Sequence, residues 1–250
     1  MILPLLLAAS PVSTAAGPLD PREARYHHCL ARVRSDPVAG LAEAERWRGG
    51  DGGHLAQQCA GLAEVAQGHW ALAAADFEHA AHDAQAGRDN RAGGYWAQAG
   101  NAWLAAGEPA KARAALDAAL AAGTLTGLQR GEAQLDDARA LVATGDLVSG
   151  RAALDKALGP AGVDPLAWLL SAALARRMGD LPRATRDIAE ALKRSPDDAS
   201  VQLEAGNIAA LNHDEAGARR AWQEAQRRAP NSNQGRAAAA ALRQFDIPAK

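Results

Sequence analysis

The sequence predicts an all-α chain built as a stack of antiparallel helix pairs, an α-solenoid. Three observations carry that expectation. One pattern of small and large residues recurs down the chain at intervals of 34 to 39 residues. Within each copy the apolar positions return at helical spacing. The chain has 250 residues and is 48% hydrophobic but only 4% aromatic, so alanine supplies much of the apolar content. Small side chains favour closely spaced helices over one large central core.

The stretch Tyr95–Leu120 shows the pattern most fully. With Gly93 as place 1, Trp96 is place 4, Gly100 place 8, Trp103 place 11, Gly107 place 15, Ala112 place 20, Leu116 place 24 and Ala119 place 27. Places 4 and 11 are two turns apart on one helix face. Gly100 lies between them and lets a second helix approach. Gly107 ends the first helix as a left-handed residue, and Glu108-Pro109 begins the second. Ala112, Leu116 and Ala119 form one stripe, with two small residues flanking a large one, shaped for the gap left by Gly100.

The pattern recurs in five units across 54–230, starting near His54, Gly93, Gly131, Pro165 and Ala199. Phe77, Leu154, Ile188 and Trp222 take the place of Leu116 in the other four. These residues resemble the tetratricopeptide repeat family, whose unit is a 34-residue helix–turn–helix. The resemblance implies a right-handed superhelix whose first helices line an inner groove. The starts at 54, 93 and 131 are 39 and 38 residues apart, and the extra residues fall between units. They are expected to lengthen helices or loops without touching the stacked core.

Residues 20–50 read as a degenerate N-terminal repeat or cap, two helices each begun by Asp-Pro. Residues 231–250 read as a capping helix and a tail, since a terminal repeat must cover its stacking face. Residues 1–16 read as a secretory signal peptide: an apolar run at 2–9, then small residues that suit cleavage. No Lys or Arg precedes the run, so the n-region offers only the α-amino charge; an uncleaved membrane anchor or a plain disordered tail is the alternative. The mature chain carries no apolar stretch long enough to span a bilayer. A periplasmic or otherwise exported location follows from the signal reading. In such a compartment Cys29 and Cys59, the only two cysteines, can form a disulfide; two buried free thiols are the alternative.

In the family, places 2, 5, 9 and 12 face the groove. Carried over, they include Gln58 and Leu62 in the first unit, then Gly94, Ala97, Asn101 and Leu104. The later units add Glu132, Leu135, Arg139, Leu169, Arg176, Leu203 and Asn207. Such a groove is mostly apolar with a few polar points, suited to a peptide or helix of a partner protein. Asn101 and Asn207 share place 9, where an amide can bond a peptide backbone. Place 5 beside Asn101 is Ala97 rather than lysine, which argues against the family's carboxylate clamp.

Other chemistry is sparse. His79 and His82 share a helix face beside Asp83 but lack a third convergent ligand, so no metal is expected. Trp96, Trp103, Trp168 and Trp222 read as core, whereas Trp47 and Trp70 fall outside the core places. No phosphate-binding loop, dinucleotide fingerprint, zinc-protease or nucleophile-elbow motif occurs, and no cofactor is expected. The net charge of −2 gives no bulk attraction to nucleic acid. The expected function is therefore an exported, non-enzymatic scaffold for protein binding. Self-assembly within a cell-envelope complex is the alternative, as a homo-oligomer, and an enzyme or metal protein a remote one.

Overall fold

A computed structural model describes residues 20–245. The signal-peptide reading at 1–16 and the tail at 246–250 lie outside the described residues. Thirteen helices and no strand occur among the described residues. An N-terminal pair, α1 (Pro21–Ser35) and α2 (Pro37–Arg48), leads into five further pairs. Their first helices are α3 (Gly53–Gln67), α5 (Ala92–Ala105), α7 (Gly127–Ala143), α9 (Pro165–Arg177) and α11 (Ala199–Leu211). Their second helices are α4 (Trp70–Ala86), α6 (Pro109–Ala121), α8 (Leu147–Ala157), α10 (Leu181–Arg194) and α12 (Glu215–Arg228). Helix α13 (Asn233–Phe245) closes the stack.

Local chemistry sets the helix starts. Asp20, Asp36 and Asp164 each accept a backbone N–H of the first turn, with proline as the first helical residue. Asp146, Asp180, Asp198 and Asp214 cap their helices the same way. Gly68, Gly107, Gly145 and Gly179 end first helices at φ between 77° and 89°. His213 holds that position in the last unit at φ 61°, against the steric preference of a side-chain-bearing residue.

The interlock expected between places 8 and 24 is present in three units. A Cβ added at Gly100 would stand 2.5 Å from Leu116 Cγ, one at Gly61 2.7 Å from Phe77, and one at Gly206 2.4 Å from Trp222. Leu116 is fully buried, as are Ala112 and Ala119 beside it. Each pair thus brings two helix backbones close around one large side chain, and neighbouring pairs bury the remaining apolar stripe. Helix α13 completes the last pair: Ala238 is buried, and the Phe245 ring stands edge-on to Trp222 with centroids 5.3 Å apart.

Two expectations need correction. The residues between units do reach the core: Leu125 is 7% exposed and packs in the cluster that holds Trp96 and Leu116. Trp47 is 1% exposed, seated against Leu55 and Ala56, with Nε1 donating to Asp51 at 3.2 Å. Its role was hidden because the N-terminal pair departs from the repeat register. Trp70 is partly exposed, as its place implied. Cys29 Sγ and Cys59 Sγ stand 1.96 Å apart, at disulfide distance, joining α1 to α3 with both residues fully buried.

Candidate functional site

Helices α1, α3, α5 and α7 contribute side chains to one continuous trough on the face of the first helices. Two adjoining cavities form it. One of about 450 Å³ is lined by Tyr26, Gln58, Arg91, Tyr95, Gln98 and Gln129, among others. The next, about 280 Å³, includes Gly94, Ala97, Asn101, Gln129, Glu132 and Asp136. Gly94, Gln98, Leu125 and Gln129 line both.

The inserted residues build much of this surface. Arg91 and Asn90 come from the connection between α4 and α5. Thr124 and Leu125 come from the connection between α6 and α7, and Gln129 from the first turn of α7. Both α4 and α7 run to 17 residues, against 13 or 14 in α9 to α12. The long spacings therefore bring polar side chains to the trough that a 34-residue unit would not supply.

Within the trough, hydrogen bonds run in one direction. Tyr26 Oη donates to Gln58 Oε1 at 2.6 Å, and Gln58 Nε2 donates to Gln98 Oε1 at 3.1 Å. The Gln98 amide N–H groups remain available as donors. Farther along, Asn101 Nδ2 donates to Asp136 Oδ2 at 2.9 Å, which leaves Asn101 Oδ1 as an open acceptor. Arg139 Nη1 donates to Asp136 Oδ1 at 2.6 Å. Gln98 thus offers donors and Asn101 an acceptor along a trough lined by Gly94 and Ala97, and carboxamides can offer either kind of group.

At the α3–α5 junction, His54 Nδ1 is 3.0 Å from Tyr95 Oη, and its Nε2 is 3.5 Å from Asp89 Oδ2. Arg91 spans Asp89 and Glu23, with 2.7 Å contacts to each. Its hydrogen bonds hold the Asp89 carboxyl at about 2. Burial holds the His54 imidazole below its ordinary value; Arg91 and Arg22 add repulsion, and Asp89 and Asp83 oppose it. Burial also raises Tyr26 and Tyr95, keeping both phenols protonated as donors.

The sign of the pH dependence follows. The unfolded chain protonates its histidine near about 6.5, whereas the folded chain does so only at lower pH. Below about pH 6.5 the unfolded state binds more protons, so stability is lost as pH falls. The Asp89 contribution is full above the ordinary carboxylate value and is lost only as pH falls toward about 2. Melting temperature should therefore fall between about pH 7 and pH 5, and His54→Gln should flatten that slope. An equal slope in the variant would contradict the assignment.

The sequence-assigned groove residues divide. Ala97 and Asn101 line the trough, and Arg139 is tied to it through Asp136. Leu62 and Leu104 are half-buried against the core that holds Trp96. Leu135 is 3% exposed and belongs to the core of α7, α8 and α9, so its substitution would unfold the unit rather than test binding. Leu169 and Leu203 pack half-buried against the clusters of Ile188 and Trp222. Arg176 Nε donates to Glu204 Oε1 at 2.6 Å, Asn207 Nδ2 donates to Glu204 Oε2 at 3.3 Å, and Trp222 Nε1 donates to Asn207 Oδ1 at 3.1 Å. Those groups bind one another and fix α9, α11 and α12.

Tyr26, Tyr95, Gln98 and Gln129 were not assigned from sequence. The irregular unit spacing is the signal that points to Gln129 and its neighbours. A larger hollow of about 740 Å³ lies between α10 and α12, floored by Ile188, Leu192 and Ile208. Part of its rim is internally bonded: Asn212 Nδ2 donates to Thr185 Oγ1, and Asp214 caps Gly217. Among the described residues no group of three or more His, Cys, Asp or Glu is placed to hold a metal ion. His82 stands edge-on to Trp96.

The fold and its interlocks define a tetratricopeptide-type α-solenoid. No protein-family model and no curated protein sequence matches the chain. Solved structures do match in fold. PilW, described as a widely conserved type IV pilus biogenesis factor, superposes with a TM-score of 0.72 at 18% identity, over 86% of this chain and 96% of its own. PilF of Pseudomonas aeruginosa gives 0.71 at 14% identity, over 88% and 97%. YrrB, described as a TPR protein with an unusual peptide-binding site, gives 0.57 at 17% identity, over 80% and 96%. At these identities the likeness is one of fold.

Proposed function

We propose that the chain is a non-enzymatic scaffold that binds an extended segment of a partner protein along the trough of α1, α3, α5 and α7. The observation that carries this reading is the set of solvent-accessible carboxamides lining the trough, whose hydrogen-bonding groups are only partly used within the chain. Gln98 offers N–H, Asn101 offers its oxygen and Gln129 offers both, beside Gly94 and Ala97. An extended backbone presents alternating N–H and C=O groups that such a set can satisfy. The peptide-binding site named for YrrB supports the reading by analogy of fold. The open trough suits an extended strand of chain better than the apolar helix groove expected from sequence, because the leucines of that groove are largely packed.

An exported location is part of the same proposal. It rests on the apolar leader at 1–16 and on the Cys29–Cys59 pair, since disulfides persist in oxidising compartments.

The binding test is selection of random linear peptides by display on residues 17–250. Gly94→Trp is the control: a Cβ there meets nothing within 4 Å, so the indole enters the trough without disturbing the helix. Wild type should enrich a peptide family that Gly94→Trp loses at least tenfold in affinity, about 1.4 kcal/mol. Equal binding by the variant, with helicity unchanged, would overturn the trough as the site.

A further inference from the structure

We propose that the segment held in the trough carries a lysine or arginine that docks on Glu132; this rests on the peptide-binding reading above. The charges on the trough wall are unequally compensated. All three donor nitrogens of Arg91 are taken: Nε and Nη2 by Asp89, and Nη1 by Glu23. Asp136 has both oxygens occupied, one by Asn101 and one by Arg139. Glu132 has no hydrogen-bond or ion-pair partner among the described residues, although it lies in the same cavity wall. Of the charged residues that line the two cavities, Arg91, Glu132 and Asp136, only Glu132 lacks an ion-pair partner.

The placement favours a side chain rather than a chain terminus. Gln129, Glu132 and Asp136 follow one another on one face of α7, at spacings of three and four. A peptide backbone bonded to Gln98 and Asn101 would run past this face and offer its side chains to it. The lining of the two cavities holds one cation, Arg91, whose three nitrogens are engaged, so it presents no free guanidinium or ammonium to a terminal carboxylate. A long cationic side chain could lay its methylenes over Ala97 and Leu125 while its head reaches Glu132. Arginine would add a planar fork able to bridge Glu132 and the rim of Asp136.

The pair would be solvent-accessible, so its expected effect is modest and salt-dependent. Peptides selected on wild-type protein should share one Lys or Arg position. Glu132→Gln should weaken the best of them about fivefold, the upper range for an exposed ion pair. Raising NaCl from about 0.05 M to 0.5 M should weaken wild-type binding and leave the variant nearly unchanged. Glu132→Lys should lose the selected peptide and recover affinity for the same peptide with its basic residue changed to Glu. Glu132 is exposed and lacks partners, so these variants retain the fold, which circular dichroism checks. Selected peptides without a common basic position, or unchanged affinity in Glu132→Gln, would overturn the inference while sensitivity to Gly94→Trp still upheld the trough. No enrichment over Gly94→Trp would overturn both.

Discussion

Leu116→Ala is expected to lower the stability of the chain by about 2–5 kcal/mol, the range for emptying a fully buried leucine site. Leu116 is 0% exposed and fills the space left by Gly100. The reciprocal change, Gly100→Ala, sets a methyl 2.5 Å from Leu116 Cγ and should cost about 1–3 kcal/mol by overpacking. The decisive result is the double variant. With the leucine gone, the new methyl fills part of the cavity, so Gly100→Ala/Leu116→Ala should be more stable than the sum of the single losses. A coupling of about 1 kcal/mol or more in urea unfolding would establish the interlock. Strict additivity would show that the two residues do not share a space, and would remove the physical basis for reading the repeat.

Loss of the cystine should have a comparable effect with a different distribution. The bridge joins residues 30 apart and ties α1 to α3. Cys29→Ala/Cys59→Ala should cost about 3–4 kcal/mol on the chain-entropy view. A stack of repeats behaves nearly as a one-dimensional array, so the damage should be local. Amide exchange should rise in α1 and α2 while α9 to α12 stay protected. Loss of Tyr26 from its bond to Gln58 would open one end of the trough with it. A uniform rise in exchange along the chain, or none, would contradict this picture. Mass spectrometry of alkylated protein from cells adds the export reading: the expected species is oxidised and begins near residue 17. A reduced chain beginning at Met1 would contradict it.

The stacked architecture was readable because packing imposes it residue by residue. A glycine facing a large side chain, and an alanine on each side of that side chain, leave a pattern with the period of the unit. Gly100 with Leu116 and Gly206 with Trp222 are such cases. The trough was less readable because its residues obey no such period. Family places point to Ala97 and Asn101, and both line the second cavity. Asn207 occupies the same place as Asn101, yet Trp222 and Glu204 consume its amide. The difference lies in the neighbours: Glu204 on the same helix and Trp222 on α12 engage Asn207, whereas Asn101 reaches only Asp136 on α7. Leu135 departs from the exposure its family place implies for a related reason: α7 packs against α8 and α9 so that its place-5 residue lies in the core. Gln129 and Leu125 belong to inserted residues, and their positions depend on how the longer α7 folds back over α5.

The most direct test of the central claim is site-specific photocrosslinking in cells. A benzophenone amino acid is placed at Asn90, exposed on the rim of the trough, and separately at Val148, which is 75% exposed on α8. The trough reading predicts a crosslinked protein partner from position 90, competed by the peptide selected in display, and none from position 148. A partner captured from position 148 but not from 90, or capture at 90 that the selected peptide leaves unchanged, would contradict it.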